Sequence, residues 1–430
     1  MTTRLLHHAD VTVDRNCIIR RRDFLRGVSL TGLAAGMLGW KDLVSLQADE
    51  LRRRGMSCIL LWMQGGPSHF ETFSPKPEHA NGGETKAIST SVPGIEIADN
   101  FPLMAKVMQD AAIIRSMTSK EGSHPRATYL MHTGYSLAPA VKYPAFGAIA
   151  AQQIQHEGLE LPAFVRVGNL RGTADGGFLG VEHDPFVLSA AGKLPANVKP
   201  TTDADRYRRR LGLLERLELS DQGGAKQEVA DHLKLYHRSS AMILGNQMKA
   251  FDLEQEPASM REAYGSGPFA SGCLLARRLV EAGVTFVEVE LSNWDTHGDN
   301  FAKVRKLAGQ VDQPFAQLIS DLKQRGMLDS TLVVWMGEFG RTPKINPKGG
   351  RDHYPRTSNV VLAGGGVRGG QFIGKTDESG AEVADRPVTV PDLFQSFCKT
   401  LKINADVENM TGGRPIKIVE GGQPVAELFA

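Results

Sequence analysis

A continuously apolar run, Ser57 to Met63 (SCILLWM), stops abruptly at Gln64-Gly65-Gly66-Pro67. Such a run ended by Gly-Gly predicts a buried parallel strand that feeds a loop. Similar runs recur at Ala111–Ile114, Ala163–Val167, Val284–Leu291, Thr331–Met336 and Asn359–Ala363. Between them, Phe101–Met108, Phe269–Ala282 and Phe301–Arg325 carry apolar residues at helical spacing. Strands alternating with helices predict an α/β fold with a mostly parallel sheet covered on both faces. The stretch from about 195 to 265 differs: it is charged and poor in β-branched runs, and it contains RYRRR (206–210). It reads as a helical insertion over one side of the sheet.

The first residues have another pattern. Arg20-Arg21-Arg22-Asp23-Phe24-Leu25-Arg26 precedes a mildly apolar run from Gly27 to Trp40. As a helix that run reaches only about 21 Å, short of a bilayer core, so it suits a signal segment better than an anchor. Adjacent arginines followed by Phe-Leu and a basic residue resemble a twin-arginine export signal. Residues 1–48 are therefore expected to be an export signal and linker, and 49–430 the folded domain. The expected destination is periplasmic or extracellular, and the expected first partner is the twin-arginine translocation machinery.

Composition narrows the choices. The 430 residues are 41% hydrophobic and carry 50 Lys+Arg against 48 Asp+Glu, which excludes wholesale disorder and gives no electrostatic footprint for nucleic acid. No stable transmembrane span is expected, because no apolar stretch is long enough. The four cysteines, Cys17, Cys58, Cys273 and Cys398, lie too far apart in sequence to suggest a thiolate zinc site or a disulfide framework.

In sheets of this type ligands bind beyond the carboxyl ends of the strands. Four post-strand loops carry unusual chemistry. The first holds Ser68, His69 and Glu71; the second Ser123, His124 and Arg126; the third Asp295, His297 and Asp299; the fourth Glu338 and Arg341, followed by Arg351, Asp352 and His353. Imidazoles and carboxylates together are the usual ligands of zinc, manganese or iron, and carboxylates alone suit calcium or magnesium. Asp295, His297, Glu338, Asp352 and His353 are the main candidates for one or two such ions, with His69 and Glu71 as further donors. Ser123 at a loop-to-helix start could attack, His124 could serve as nucleophile, ligand or acid, and Arg126 could hold two oxygens of an anion. Each element also has a structural reading: Ser123 as the cap of a helix Pro125–His132, Asp295 as the cap of a helix near Asn300, and Glu338 or Asp352 as ion-pair partners of Arg341 or Arg351. His132 is expected to pack.

Several motifs together carry a family resemblance: the twin arginines, WMQGGPSH (62–69), the segment Ile113–Leu130 with KEG-x-H-x-RATYL, WDTH-x-x-N (294–300), MGEFGRTP (336–343) and GRDH (350–353). With them the chain resembles the exported family catalogued as domain of unknown function 1501, which in turn is similar to the alkaline phosphatase and sulfatase superfamily. The resemblance implies a three-layer α/β/α sandwich, alkaline phosphatase-like, with metal ligands at strand ends. By position it makes Asp295 and His297 the first metal pair and His353 the final ligand, and it sets Glu338 where an Asp-His pair often stands. Ser123 to Thr133-Gly134 is similar to a sulfatase nucleophile segment, without the cysteine that sulfatases convert. The first strand also departs from the pattern, ending in Gly-Gly-Pro-Ser instead of an acidic pair.

The expectation is an exported hydrolase of phosphate or sulfate esters, dependent on a divalent metal (zinc, calcium or manganese), with an anionic ester such as a sulfated or phosphorylated glycan as substrate. The alternative is a non-catalytic envelope or polysaccharide-binding protein on a degenerate phosphatase-like scaffold. A weaker third reading is a metal-free carbohydrate hydrolase using Glu71 and Glu338.

Overall fold

Alternate residues of the first strand, Ser57–Met63 (β1), enter opposite cores. Ile59, Leu61 and Met63 face one core, while Cys58, Leu60 and Trp62 face the other. That is the period-two consequence of a strand covered on both sides, and it explains why the run is apolar throughout. The computed structural model describes residues 55–154, 158–168, 173–192, 198, 202–220 and 226–429. The expected export signal, its arginines and Cys17 lie outside the described residues.

Eight further strands complete the central sheet. They are β2 (Ala111–Thr118), β3 (Phe164–Val167), β4 (Phe186–Leu188), β5 (Phe286–Leu291), β6 (Thr331–Met336), β7 (Ser358–Ala363), β8 (Gln371–Ile373) and β9 (Val388–Thr389). Their spatial order is β8-β2-β7-β6-β1-β5-β3-β4, and β9 also pairs with β2. Every pairing is parallel except those of β7, which runs against both β2 and β6. The strand ends that terminate β1, β2, β5 and β6 therefore share an edge with the start of β7.

Helices cover both faces. They are α1 (His124–Thr133), α2 (Phe146–Gln153), α3 (Ala204–Ser220), α4 (Lys226–Leu244), α5 (Ala258–Tyr264), α6 (Pro268–Glu281), α7 (Asn300–Gln324) and α8 (Val390–Thr400). Phe269, Leu275 and Leu279 of α6 and Val304, Val311 and Phe315 of α7 pack with Ile59 and Val287. On the other face Met131 of α1, Phe146 of α2 and Phe394 of α8 pack with Leu60 and Val334. Full burial of an aliphatic or aromatic side chain contributes about 1.5–3 kcal/mol, so these two layers supply most of the driving force. The result is the expected three-layer α/β/α sandwich.

One local expectation changes. Phe101–Met108 was expected to be an α-helix, but the observed element is a 3-10 helix, Met104–Asp110, whose first turn is held by Asp312 of α7, which accepts from Leu103 and Met104 N–H at 2.8 Å each. The region 195–265 contains α3, α4 and α5 among its described residues. Cys58, Cys273 and Cys398 are buried free thiols, and burial pushes the Cys398 thiol up to about 12. Among the described residues no helix is long and apolar enough to cross a membrane.

Candidate metal centre

The shared edge gathers side chains from four loops. Gly122-Ser123-His124 leaves β2 and opens α1, Asp295 and His297 follow β5, Glu338 follows β6, and His353 lies ahead of the reversed β7. A short ladder of Gly340–Arg341 with His353–Tyr354 fixes the last segment against the loop of Glu338. One ligand atom each from His124, Asp295 and His353 falls within 4.8 Å of the others, a grouping able to hold a metal ion.

Each imidazole of the cluster is anchored through Nδ1. His353 Nδ1 lies 2.9 Å from the Gly122 carbonyl, which only accepts, so Nδ1 carries the proton. His297 Nδ1 lies 2.7 Å from Asp352 Oδ1, and His124 Nδ1 lies 2.6 Å from Glu338 Oε1. Glu338 is fully buried and also accepts the Gly65 N–H, at 2.9 and 3.2 Å, on its two oxygens. This assignment turns the Nε2 lone pairs inward on Asp295. His353 Nε2 is 3.3 Å and His297 Nε2 3.1 Å from Asp295 Oδ1, while His124 Nε2 is 3.4 Å from Oδ2 and makes no hydrogen bond. His297 Nε2 and His353 Nε2 stand 3.1 Å apart. Lone pairs facing one another across such distances are satisfied by a proton on one of the nitrogens or by a cation between them.

Donor chemistry and spacing fit a metal. Tetrahedral ligands about 2.0–2.1 Å from a zinc-sized ion stand about 3.3 Å from one another, close to the separations above. The Nδ1 bonds to Glu338, Asp352 and Gly122 are the outer-shell partners that orient metal-ligating imidazoles. His124, Asp295 and His353 are thus the residues that fit such an ion, with His297 against them.

Among the described residues, Arg341 is the one guanidinium that enters the cluster. It is fully buried, and its Nη2 donates to Asp295 Oδ1 at 2.6 Å. Its other hydrogens reach the carbonyls of Gly65, Gly66 (2.9 Å) and Arg351 (3.1 Å). Partial burial works against the Asp295 charge, but Arg341 and the nearby histidines outweigh it and hold that carboxyl at about 2. Burial likewise opposes protonation of His124, and the Glu338 bond with the charges of Glu338 and Asp295 overcomes it, raising the imidazole. His353 is lowered by burial and by the positive charges of His124 and Arg341.

Local backbone geometry presses these groups together. Asn293 and Asp299 both adopt positive φ, 80° and 51°, at either end of the loop that carries Asp295 and His297. Left-handed backbone at non-glycine residues marks strain that the surroundings must hold. Gly65 has φ +116°, and a Cβ there would lie 2.4 Å from Asp295 N, so only glycine lets the first loop touch the third. Asp299, not Asp295, precedes α7, and it makes no side-chain capping bond.

The remaining expected residues fall as follows. Ser123 sits at the N-cap of α1, but its hydroxyl makes no capping bond and no other hydrogen bond among the described residues. Arg126 is exposed and pairs with Glu121 at 2.8 Å. His69 and Glu71 do not join the cluster. His69 is buried against the Gly380 carbonyl and Thr357 Oγ1, each at 3.1 Å, and burial lowers it to about 3. Glu71 is fully buried on Arg351, with contacts of 2.7 to 3.2 Å, and that guanidinium also stacks over Phe70. Glu338 lies one bond behind the candidate ligands, because both its oxygens are committed to Gly65 and His124. His132 packs against Trp62 and bonds Glu288 at 2.8 Å. Arg341 was foreseen only as a partner of Glu338 or Asp352; nothing in the residue order pairs it with Asp295.

A sandwich that delivers imidazoles and carboxylates to the carboxyl edge of its parallel strands defines the class, an α/β domain with a candidate metal centre at that edge. Residues 56–429 match the family DUF1501, described as Protein of unknown function, and the chain belongs to that family. Similar solved structures include PsFucS1 sulfatase from Pseudoalteromonas sp., 14% identical, covering 90% of this chain and 72% of that one with a TM-score of 0.38. A protein in the alkaline phosphatase superfamily from Vibrio parahaemolyticus is 10% identical, over 81% and 66% of the two chains, TM-score 0.34. The phosphonate monoester hydrolase of Agrobacterium radiobacter is 13% identical, over 87% and 77%, TM-score 0.33. No curated protein matches the sequence.

Proposed function

We propose that the protein is an exported, metal-dependent hydrolase of phosphate or sulfate esters. The observation that carries this reading is the set of Nδ1-anchored imidazoles, His124, His297 and His353, whose Nε2 atoms converge on Asp295. Three imidazoles and one carboxylate are a donor set for zinc or a similar first-row ion more than for calcium. When bound, such an ion polarises an ester oxygen and favours loss of a proton from a nearby hydroxyl or water.

The chain's own groups do the rest. Arg341 keeps Asp295 ionised, and Glu338 fixes His124 with its proton on Nδ1. Ser123 precedes His124 with an uncommitted hydroxyl; in this reading its oxygen attacks the ester phosphorus or sulfur as the alcohol leaves, water then frees the anion from the serine, and the first amides of α1 favour the anion. Arg126, on the first turn of that helix, is the candidate second hold on ester oxygens. Export by the twin-arginine route rests on Arg20, Arg21 and the Phe24-Leu25 that follow.

Elemental analysis of the protein recovered from the export compartment, paired with an aryl-phosphate and aryl-sulfate screen, tests the reading. Near-stoichiometric metal is expected, together with ester turnover that falls at least about 100-fold in Asp295→Ala and His353→Ala. Metal-free protein, with no turnover after loading with zinc or manganese, sinks it. Retention on envelope glycans unaffected by both substitutions then points to the non-catalytic alternative.

A further inference from the structure

We infer that the outward face of α3 docks the protein on a bilayer rich in anionic lipid, its arginines on the phosphates and its leucines at the acyl border. The inference is independent of the metal-dependent reading above.

Packing of α3 on α4 sorts its residues by face. Tyr207, Leu211, Leu214 and Glu218 recur every three or four residues and are half-buried. Two of them are tied to α4: Ser240 Oγ donates to the Tyr207 hydroxyl at 3.4 Å, and His232 Nδ1 lies 2.6 Å from Glu218 Oε1. The opposite stripe is Arg206, Arg209, Arg210, Leu213, Arg216 and Leu217, at the same helical spacing, and all six are exposed. It runs for about 16 Å along three turns. Leu213 and Leu217 are each 58% exposed.

Charge on this face has one sign. The acids of the helix face elsewhere or are already paired: Glu218 meets His232, Glu215 approaches His237 at 3.8 Å, and Asp205 pairs with Arg208 at 3.1 Å. Among the described residues no acid pairs with Arg206, Arg209, Arg210 or Arg216. The net charge of +2 for the whole chain conceals this patch, because the excess is local.

Positive charge alone suits any polyanion, and the leucines choose among them. An exposed leucine between arginines gains little from a sulfated glycan, whose surface keeps its water. It leaves water when the helix lies flat on a membrane, while each planar guanidinium takes two phosphate oxygens. Lying on the surface is the mode that fits, since among the described residues no helix is long and apolar enough to cross a membrane.

Co-sedimentation of the full-length protein with vesicles of phosphatidylglycerol and phosphatidylcholine in equal parts, against phosphatidylcholine alone, tests this. Binding to the anionic vesicles only is expected, weakening as salt rises. Arg206→Gln combined with Arg210→Gln should lower affinity about 30-fold, at about fivefold per arginine near an anionic surface. Leu213→Ser should lower it about tenfold. All three positions are exposed, so the variants are expected to fold. Because Arg20, Arg21 and Arg22 also attract such vesicles, a local readout accompanies the first: an environment-sensitive dye on Leu213→Cys, in a Cys17→Ser background whose remaining native thiols are buried. Its emission should shift to the blue with anionic vesicles and stay unchanged with dextran sulfate. Equal binding by native protein and variants, or an unshifted dye, overturns the inference. Retention on dextran sulfate that the arginine pair abolishes, without a dye shift on vesicles, assigns the face to anionic glycans and overturns it as well.

Discussion

His124 Nδ1 meets Glu338 Oε1 at 2.6 Å, and the same carboxylate takes the Gly65 N–H, so one buried acid ties the loops after β1, β2 and β6 together. Glu338→Gln keeps an acceptor for Gly65 but removes the charge that orients the imidazole. Zinc affinity is expected to fall about 10–100-fold, the range for lost outer-shell partners. A chelator-competition titration reads this, and unchanged affinity would show that His124 needs no partner.

Ser123 gives a prediction with two opposite halves. True N-cap residues contribute about 0.5–2 kcal/mol, but this hydroxyl caps nothing. Ser123→Ala should therefore leave unfolding stability within about 0.5 kcal/mol while aryl-ester turnover collapses. A large drop in denaturation midpoint with turnover intact would assign the residue to structure alone.

Glu71 is expected to matter for stability. Glu71→Ala strands the Arg351 guanidinium in the interior, where breaking a buried pair costs about 3–5 kcal/mol. Urea unfolding of the variant measures it. A cost below about 1 kcal/mol would mean that the carbonyls of Thr342, Pro343 and Asn81 satisfy Arg351 without the acid.

Gly65→Ala places a methyl group 2.4 Å from Asp295 N at φ +116°. The third loop must retreat, so the variant should lose metal binding even where it folds. Circular dichroism with a zinc titration separates the two effects; a variant that binds normally would show that the loop has slack.

His69 predicts an acid-sensitive window. Its folded value, about 3, lies below the ordinary 6.5, so the unfolded chain binds the extra proton between those values. Stability from this group is complete above pH 6.5 and declines as pH falls, by about 1.4 kcal/mol per pH unit. His69→Gln should show a shallower stability slope between pH 6.5 and 4.5 than the native protein. Equal slopes would place the acid sensitivity elsewhere.

The sheet was legible because its strands are buried on both faces and read as unbroken apolar runs; Thr331–Met336 matches its expected limits. Asp295 and His297 reach the shared edge because they stand just past the end of β5, whereas His353, far along the connection from β6, is brought there by its ladder with Gly340–Arg341. Glu71 misled: it stands in the first post-strand loop, yet its partner Arg351 lies far along the chain, and a pairing across that separation leaves no local pattern. Arg341 hid in the same way: its target is set by how the loop after β6 folds across Gly65 and Gly66. The 3-10 helix at Met104–Asp110 differs from the expected α-helix because Asp312, remote in sequence, takes its opening N–H groups.

The reversed strand β7 has a bearing on when the centre forms. His353 stands just before that strand, and β7 bonds on either side to β2 and β6. The last imidazole thus reaches its neighbours only once a late segment of the chain has slotted between two earlier ones. Under the proposed metal-dependent reading, loading with zinc would therefore report on completed assembly, because a chain halted before that insertion has His124 and Asp295 but no His353 beside them.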